Sequence, residues 1–112
     1  MTGMTDESVL IQYMGNTPKL RVIDFLIDNM PFDYSKKEII EGSGISKTTF
    51  FKIWKDFIKF DILKPTRKYS KAQLYTINRE HIFIKQLLSL EFALVNEYAE
   101  KITKPKAVLV RR

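Results

Sequence analysis

Residues 46–55 read Ser46-Lys47-Thr48-Thr49-Phe50-Phe51-Lys52-Ile53-Trp54-Lys55. Hydroxyls crowd the start of this stretch, and lysines recur through it. Hydroxyls donate to and accept from base edges and phosphate oxygens, and lysine neutralises phosphate. If the segment is helical, a turn of ~100° per residue collects Thr48, Lys52, Lys55 and Lys59 on one face. Phe50, Ile53, Trp54, Phe57 and Phe60 then share roughly the opposite face, with Phe51 and Ile58 at the flank. A helix built this way buries one side and offers the other to a groove of nucleic acid. The plain alternative is a solvated basic face. The polyanion reading is favoured because a second basic cluster follows closely, at Arg67, Lys68, Tyr69, Ser70 and Lys71.

Charge is distributed unevenly over the 112 residues. Residues 1–34 hold two bases against five acids, a net of −3; residues 35–71 hold ten against four, +6; residues 72–112 hold seven against four, +3. A basic excess concentrated in the middle suits a polyanionic partner.

Other chemistries lack their residues. There is no cysteine, so no disulfide, zinc thiolate or thiol nucleophile exists. A single histidine, His81, excludes a multi-histidine metal centre. No glycine-rich phosphate loop is present, and His81 has no evident serine or carboxylate partner in the sequence. The expectation is a protein that is not an enzyme and uses no cofactor or metal. No apolar run approaches ~18 residues, so no membrane partner is expected. The first ten residues carry Asp6 and Glu7 but no base, unlike a signal peptide. A soluble, cytoplasmic, nucleoid-associated protein is the expectation. With 45% apolar residues the chain has material for one core and one domain.

The elements that must position the basic residues can be read in order. Asp6 to Met14 reads as a short helix stopped by Gly15-Asn16. Thr17-Pro18 starts the next, which runs to about Asn29, with threonine as cap and proline in the first turn. Met30-Pro31 breaks it, and Phe32 to Tyr34 is a short extended piece. Ser35-Lys36-Lys37-Glu38 is a capping box for a short helix closed by Gly42-Ser43-Gly44. Ser46 caps the basic helix, which runs to Phe60. The period then changes. Ile62 to Arg67 reads as a strand that Pro65 confines to an edge, Lys68 to Lys71 as a turn, and Ala72 to Ile77 as the return strand. Asn78 is the expected cap of a long last helix, with Arg79, Glu80 and His81 in its first turn, running to about Ile102 before Lys104-Pro105.

Helix, short strand, helix, glycine turn, helix, basic hairpin and long helix is the layout of a helix-turn-helix followed by a two-stranded wing. Over roughly residues 17–78 the sequence resembles the winged-helix transcriptional regulators of the broad MarR and ArsR type, common in bacteria and archaea. The resemblance is carried by Tyr34-Ser35-Lys36-Lys37-Glu38-Ile39-Ile40, by Gly44-Ile45-Ser46-Lys47-Thr48-Thr49, by Ile53 and Phe57, and by Asp61-Ile62-Leu63 entering the wing. That family usually has glycine where Asp61 stands. The resemblance implies an α+β, mainly helical winged fold that binds double-stranded DNA, with the recognition helix at 46–60 and the wing at 64–74. The residues expected on DNA are Lys36, Ser46, Lys47, Thr48, Thr49, Phe51, Lys52 and Lys55, with Arg67, Lys68, Tyr69 and Lys71 from the wing. Phe51 has a second reading, packing against the first helix or a partner.

The last helix is apolar on more than one side and so must be buried on more than one side. Ile84, Leu87, Leu88, Leu94, Val95, Tyr98 and Ile102 form its main stripe and the expected interface of a homodimer. The organisation expected is an N-terminal helical extension at 1–16, the winged domain at 17–78, a dimerisation helix at 79–103 and a basic tail at 104–112. A two-fold dimer implies a pseudo-palindromic site with half-sites ~34 Å apart. Partition or replication-site binding on a plasmid or virus is an alternative with the same architecture. A winged helix used for docking to protein is another. A small-molecule effector stays open, because such regulators often sense small molecules, but no polar set in the sequence names one.

Overall fold

The computed structural model describes residues 8–103, with only the backbone for 100–103. Five helices and three strands follow in the order α1 (Val9–Met14), α2 (Pro18–Asp28), β1 (Tyr34–Ser35), α3 (Lys36–Ser43), α4 (Lys47–Lys59), β2 (Leu63–Tyr69), β3 (Ala72–Ile77) and α5 (Ile82–Thr103). The antiparallel sheet has the order β1-β3-β2, with Tyr34 opposite Tyr75 and Leu63 opposite Ile77. This is a winged helix-turn-helix fold.

Short polar side chains set the helix starts. Thr17 Oγ1 accepts the Leu20 N–H at 3.2 Å, ahead of Pro18 in the first turn. At α3 the capping box is complete: Ser35 Oγ accepts the Glu38 N–H at 3.2 Å, and Glu38 Oε1 accepts the Ser35 N–H at 2.9 Å. Gly44 ends α3 in the left-handed region at φ 71°. The backbone conformation favours glycine there, and a Cβ would in addition push aside the flexible end of Arg21, whose Nη2 would lie 2.6 Å away. Gly44 thus shapes the turn between α3 and α4.

Leu10, Val22, Leu26, Ile39, Phe50, Phe57, Ile77 and Ile84 are fully buried, which draws α1, α2, α3, α4, the sheet and α5 into one core. Each such side chain contributes about 1.5–3 kcal/mol by leaving water.

Among the boundaries that differ from the sequence reading, three bear on the hairpin and the terminal helices. Ser8 caps α1 by accepting the Ile11 N–H at 3.2 Å, so that helix starts at Val9; Asp6 lies outside the described residues. Asn78 does not cap α5. Its Nδ2 donates to the Asp61 carbonyl at 2.8 Å and its Oδ1 accepts the Glu80 N–H at 3.2 Å, tying the end of β3 to the entrance of the wing. Arg79 and Glu80 therefore form a turn, and His81 caps instead, its Nδ1 accepting the Phe83 N–H at 3.0 Å. The third difference is that β2 runs through Tyr69, leaving Ser70 and Lys71 as the hairpin turn, with Ser70 at φ 62°.

Asp61 stands at φ 56°, in the left-handed backbone region that glycine adopts most readily. Replacing Asp61 by glycine is expected to raise stability by about 0.5–1 kcal/mol, since left-handed backbone is unfavourable for any residue with a Cβ. A urea melt checks this, and an unchanged or lowered midpoint contradicts it.

The long last helix joins the body by only part of its stripe. Ile84 and Leu87 are buried in the chain's own core and Leu88 packs against it. They are therefore not free to meet a second chain, which corrects their assignment to a dimer interface. Farther along, Leu94 is half-buried, whereas Phe92, Val95 and Tyr98 are 70%, 47% and 55% exposed. The side chain of Ile102 and the tail at 104–112 lie outside the described residues. Twenty-two residues make α5 ~33 Å long. The described molecule extends 58 Å in its longest direction against 28 and 23 Å in the others. No helix among the described residues is long and apolar enough to cross a membrane.

Candidate nucleic-acid interface

α4 forms because its two faces have separate destinations. Phe50 and Phe57 are buried, Ile53 and Trp54 half-buried, and together they hold the helix on the core. Phe60, expected on the same face, is exposed because the helix ends at Lys59. Trp54 packs between Phe50 at 5.2 Å and the Tyr75 ring at 4.8 Å, which ties α4 directly to the hairpin. The wing cannot shift without moving α4's anchor.

The outward face carries Lys47, Thr48, Lys52 and Lys55, all exposed. None of these lysines has a carboxylate partner among the described residues, where the ion pairs are Lys19–Asp56 and Arg67–Asp33. The one acid of α4 is thereby occupied: Asp56 meets Lys19 of α2 at 2.6 Å. That lysine holds its carboxyl below the usual range, first by a hydrogen bond and then by its charge. Ser46 serves as cap, accepting the Thr49 N–H at 3.1 Å and donating to Thr49 Oγ1 at 2.9 Å. Thr49 is half-buried, so the two hydroxyls at the helix start are already hydrogen-bonded while Thr48 faces outward.

Two members of the expected set sit at the flank. Lys36, at the start of α3, lies with Nζ 4.9 Å from the Trp54 ring and 5.8 Å from the Phe51 ring. A cation over an aromatic face is attracted by the ring's quadrupole, so Lys36 is a packed residue whose charge still reaches the surface. Phe51 is 42% exposed and meets Phe50 edge-on at 5.4 Å. Its described ring contacts are therefore with α4 itself and Lys36.

In the wing, Lys68, Tyr69 and Lys71 are exposed, Tyr69 by 70%. Arg67 is exposed but not free. Its Nε and Nη2 donate to the two carboxylate oxygens of Asp33 at 3.0 and 3.2 Å, a bidentate pair, and the Thr66 hydroxyl donates to the same carboxylate. Consecutive strand residues normally point to opposite faces. Here the register slips by one between Pro65 and Lys68, a bulge that lets Thr66 and Arg67 address one carboxylate together. Asp33 is the residue the sequence reading missed. It lies 34 positions from Arg67, and only the pairing of β1 with β3 brings it to the hairpin.

Hydrogen bonds from Arg67 and then Thr66 hold the Asp33 carboxyl below the usual range. A depressed folded-state pKa means this tie is intact above the ordinary aspartate range and is lost as pH falls through the lowered value. Protection of the β2 amides relative to their intrinsic exchange rate is expected to be high at neutral pH and to fall in acid, and Asp33→Asn is expected to show the lowered protection already at neutral pH. Equal protection in both proteins would contradict the tether.

An apolar cleft of about 270 Å³ lies between Met14, Leu20, Phe57, Phe60 and Phe83. The polar groups at its rim, Lys19 and Asp56, satisfy each other, so it presents no open polar contact that would identify an effector.

No protein-family model and no curated protein matches the chain. Among solved structures, the crystal structure of Sso10a-2, a DNA-binding protein from Sulfolobus solfataricus, is similar over 83% of this chain and 96% of that one. The identity is 16% and the TM-score 0.48.

Proposed function

We propose that this chain is a homodimeric, sequence-specific double-stranded-DNA-binding protein acting as a transcriptional regulator. In this reading α4 enters the major groove and the β2–β3 hairpin rests on the backbone or in the minor groove. The observation that carries it is the outward face of α4: exposed Thr48, with Lys47, Lys52 and Lys55 that have no acidic partner among the described residues, on a helix whose other face is core. Thr48 and Lys52 are assigned to base edges, and Lys47 and Lys55 to phosphates. Lys68, Tyr69 and Lys71 continue the basic surface onto the wing, while Arg67 braces it through Asp33. The left-handed Asp61 supports kinship with the MarR and ArsR type, because that is where those regulators place glycine. Dimerisation is supported by Phe92, Val95 and Tyr98, which leave an apolar strip uncovered on the outer half of α5.

Selection from random-sequence duplex DNA, combined with a salt titration, tests this. A two-fold-symmetric motif is expected, with affinity falling steeply as salt rises. Thr48→Ala and Lys52→Ala are expected to relax the motif. Lys68→Ala is expected to weaken every sequence alike and to lower the salt slope by about one. Binding without enrichment would replace the regulator with a coating protein, and no binding at low salt would replace it with a protein-docking module.

A further inference from the structure

Asp24 and Asp28 lie one turn apart on α2, and Glu91 faces them from α5. One carboxylate oxygen from each lies within 4.8 Å of the other two. Asp24 is 8% exposed, and its Oδ1 is buried with no hydrogen-bond partner. An unpaired carboxylate oxygen at that depth is costly unless something satisfies it.

No basic side chain among the described residues does so. Arg21, one turn before Asp24 and lining the same cleft, turns its guanidinium to the end of α3, donating from Nε to the Ser43 carbonyl at 2.8 Å. The ion pairs among the described residues lie elsewhere. Burial pushes all three carboxyls above the usual range; Asp24 adds to the effect at Asp28, Asp28 and Asp24 add to it at Glu91, and a hydrogen bond from Ser8 offsets part of it at Asp24. Three acids thus sit together without a basic partner among the described residues, in a protein of net charge +6.

Three carboxylates on two helices, with no histidine or cysteine in the set, form a hard oxygen donor set. Such a set suits magnesium, manganese or calcium, with water completing the shell, better than zinc or copper. We propose that Asp24, Asp28 and Glu91 form a divalent-cation site that pins α5 to α2. Glu91 falls between Leu88, which packs on the core, and Leu94, where the helix begins to leave it. An ion there fixes the helix at the point from which its outer half projects. The site stands independently of whether the protein binds DNA.

The test is a manganese titration of the full chain followed by NMR. Paramagnetic broadening is expected to be strongest for amides in the second half of α2 and around Glu91, to weaken with distance from them, and to reverse on chelation. Asp28→Asn and Glu91→Gln are each expected to weaken manganese binding about tenfold or more, because affinity at oxygen sites follows the number of charged ligands. Both variants remove like-charge repulsion, so their melting temperatures should equal or exceed the wild type's, which separates lost binding from lost folding. Absent or diffuse broadening, or broadening that Glu91→Gln leaves unchanged, would overturn the site. So would a cluster that responds to pH and ignores the metal, as carboxyls sharing protons would.

Discussion

Changing Lys47, Lys52 and Lys55 together to alanine is expected to lower affinity for duplex DNA by about 10²–10³-fold and to reduce the salt slope by about two units, one for each of the phosphate contacts of Lys47 and Lys55. Each lysine that neutralises a phosphate releases roughly one counterion, and a lost base contact adds about 1–3 kcal/mol of discrimination. The fold should survive. All three side chains are exposed, none has a carboxylate partner among the described residues, and lysine and alanine are both good helix formers. A filter-binding or anisotropy titration across salt concentrations, with a melting curve as control, gives the answer. Unchanged binding by a folded triple variant would remove α4 from the interface.

The second large effect divides α5. Ile84→Ala is expected to destabilise the protein by about 2–5 kcal/mol, as emptying a fully buried aliphatic site does. Val95→Lys with Tyr98→Lys should change monomer stability by less than about 1 kcal/mol, because both positions are exposed. It should nevertheless convert a dimer to a monomer in sedimentation, and weaken binding to a two-half-site DNA by about 10²-fold or more, through loss of simultaneous engagement. A wild-type protein that already sediments as a monomer at micromolar concentration would sink the dimer, and so would a lysine pair that leaves the mass unchanged.

How far the sequence could be read depended on the range of the interaction. Caps act within four residues, so Thr17, Ser35 with Glu38, Ser46 and Gly44 were legible from neighbours alone. The two-faced character of α4 was legible for the same reason, its period being a local property. Asn78 misled because its side chain found a long-range partner, the Asp61 carbonyl, and left the capping role to His81. The stripe of α5 was legible as apolar but not as divided. Periodicity shows that a face will be buried and says nothing about which chain buries it. Ile84 and Val95 look alike in the sequence, and only the reach of the winged body separates them. The bidentate grip of Asp33 on Arg67 needed the sheet pairing and a one-residue bulge, neither of which leaves a local signature.

That bulge bears on what the sheet can recruit. β2 is an outer strand, and nearly all of it after Leu63 is exposed. A straight, bare strand in that position invites further strands to add, and a protein gathered densely along a polymer would bring many such strands together. Here Pro65 withholds an N–H, Lys64 and Lys68 repel their own kind, and the slipped register bends the outer backbone away from a continuous ladder. Addition of further strands at this margin is thereby discouraged.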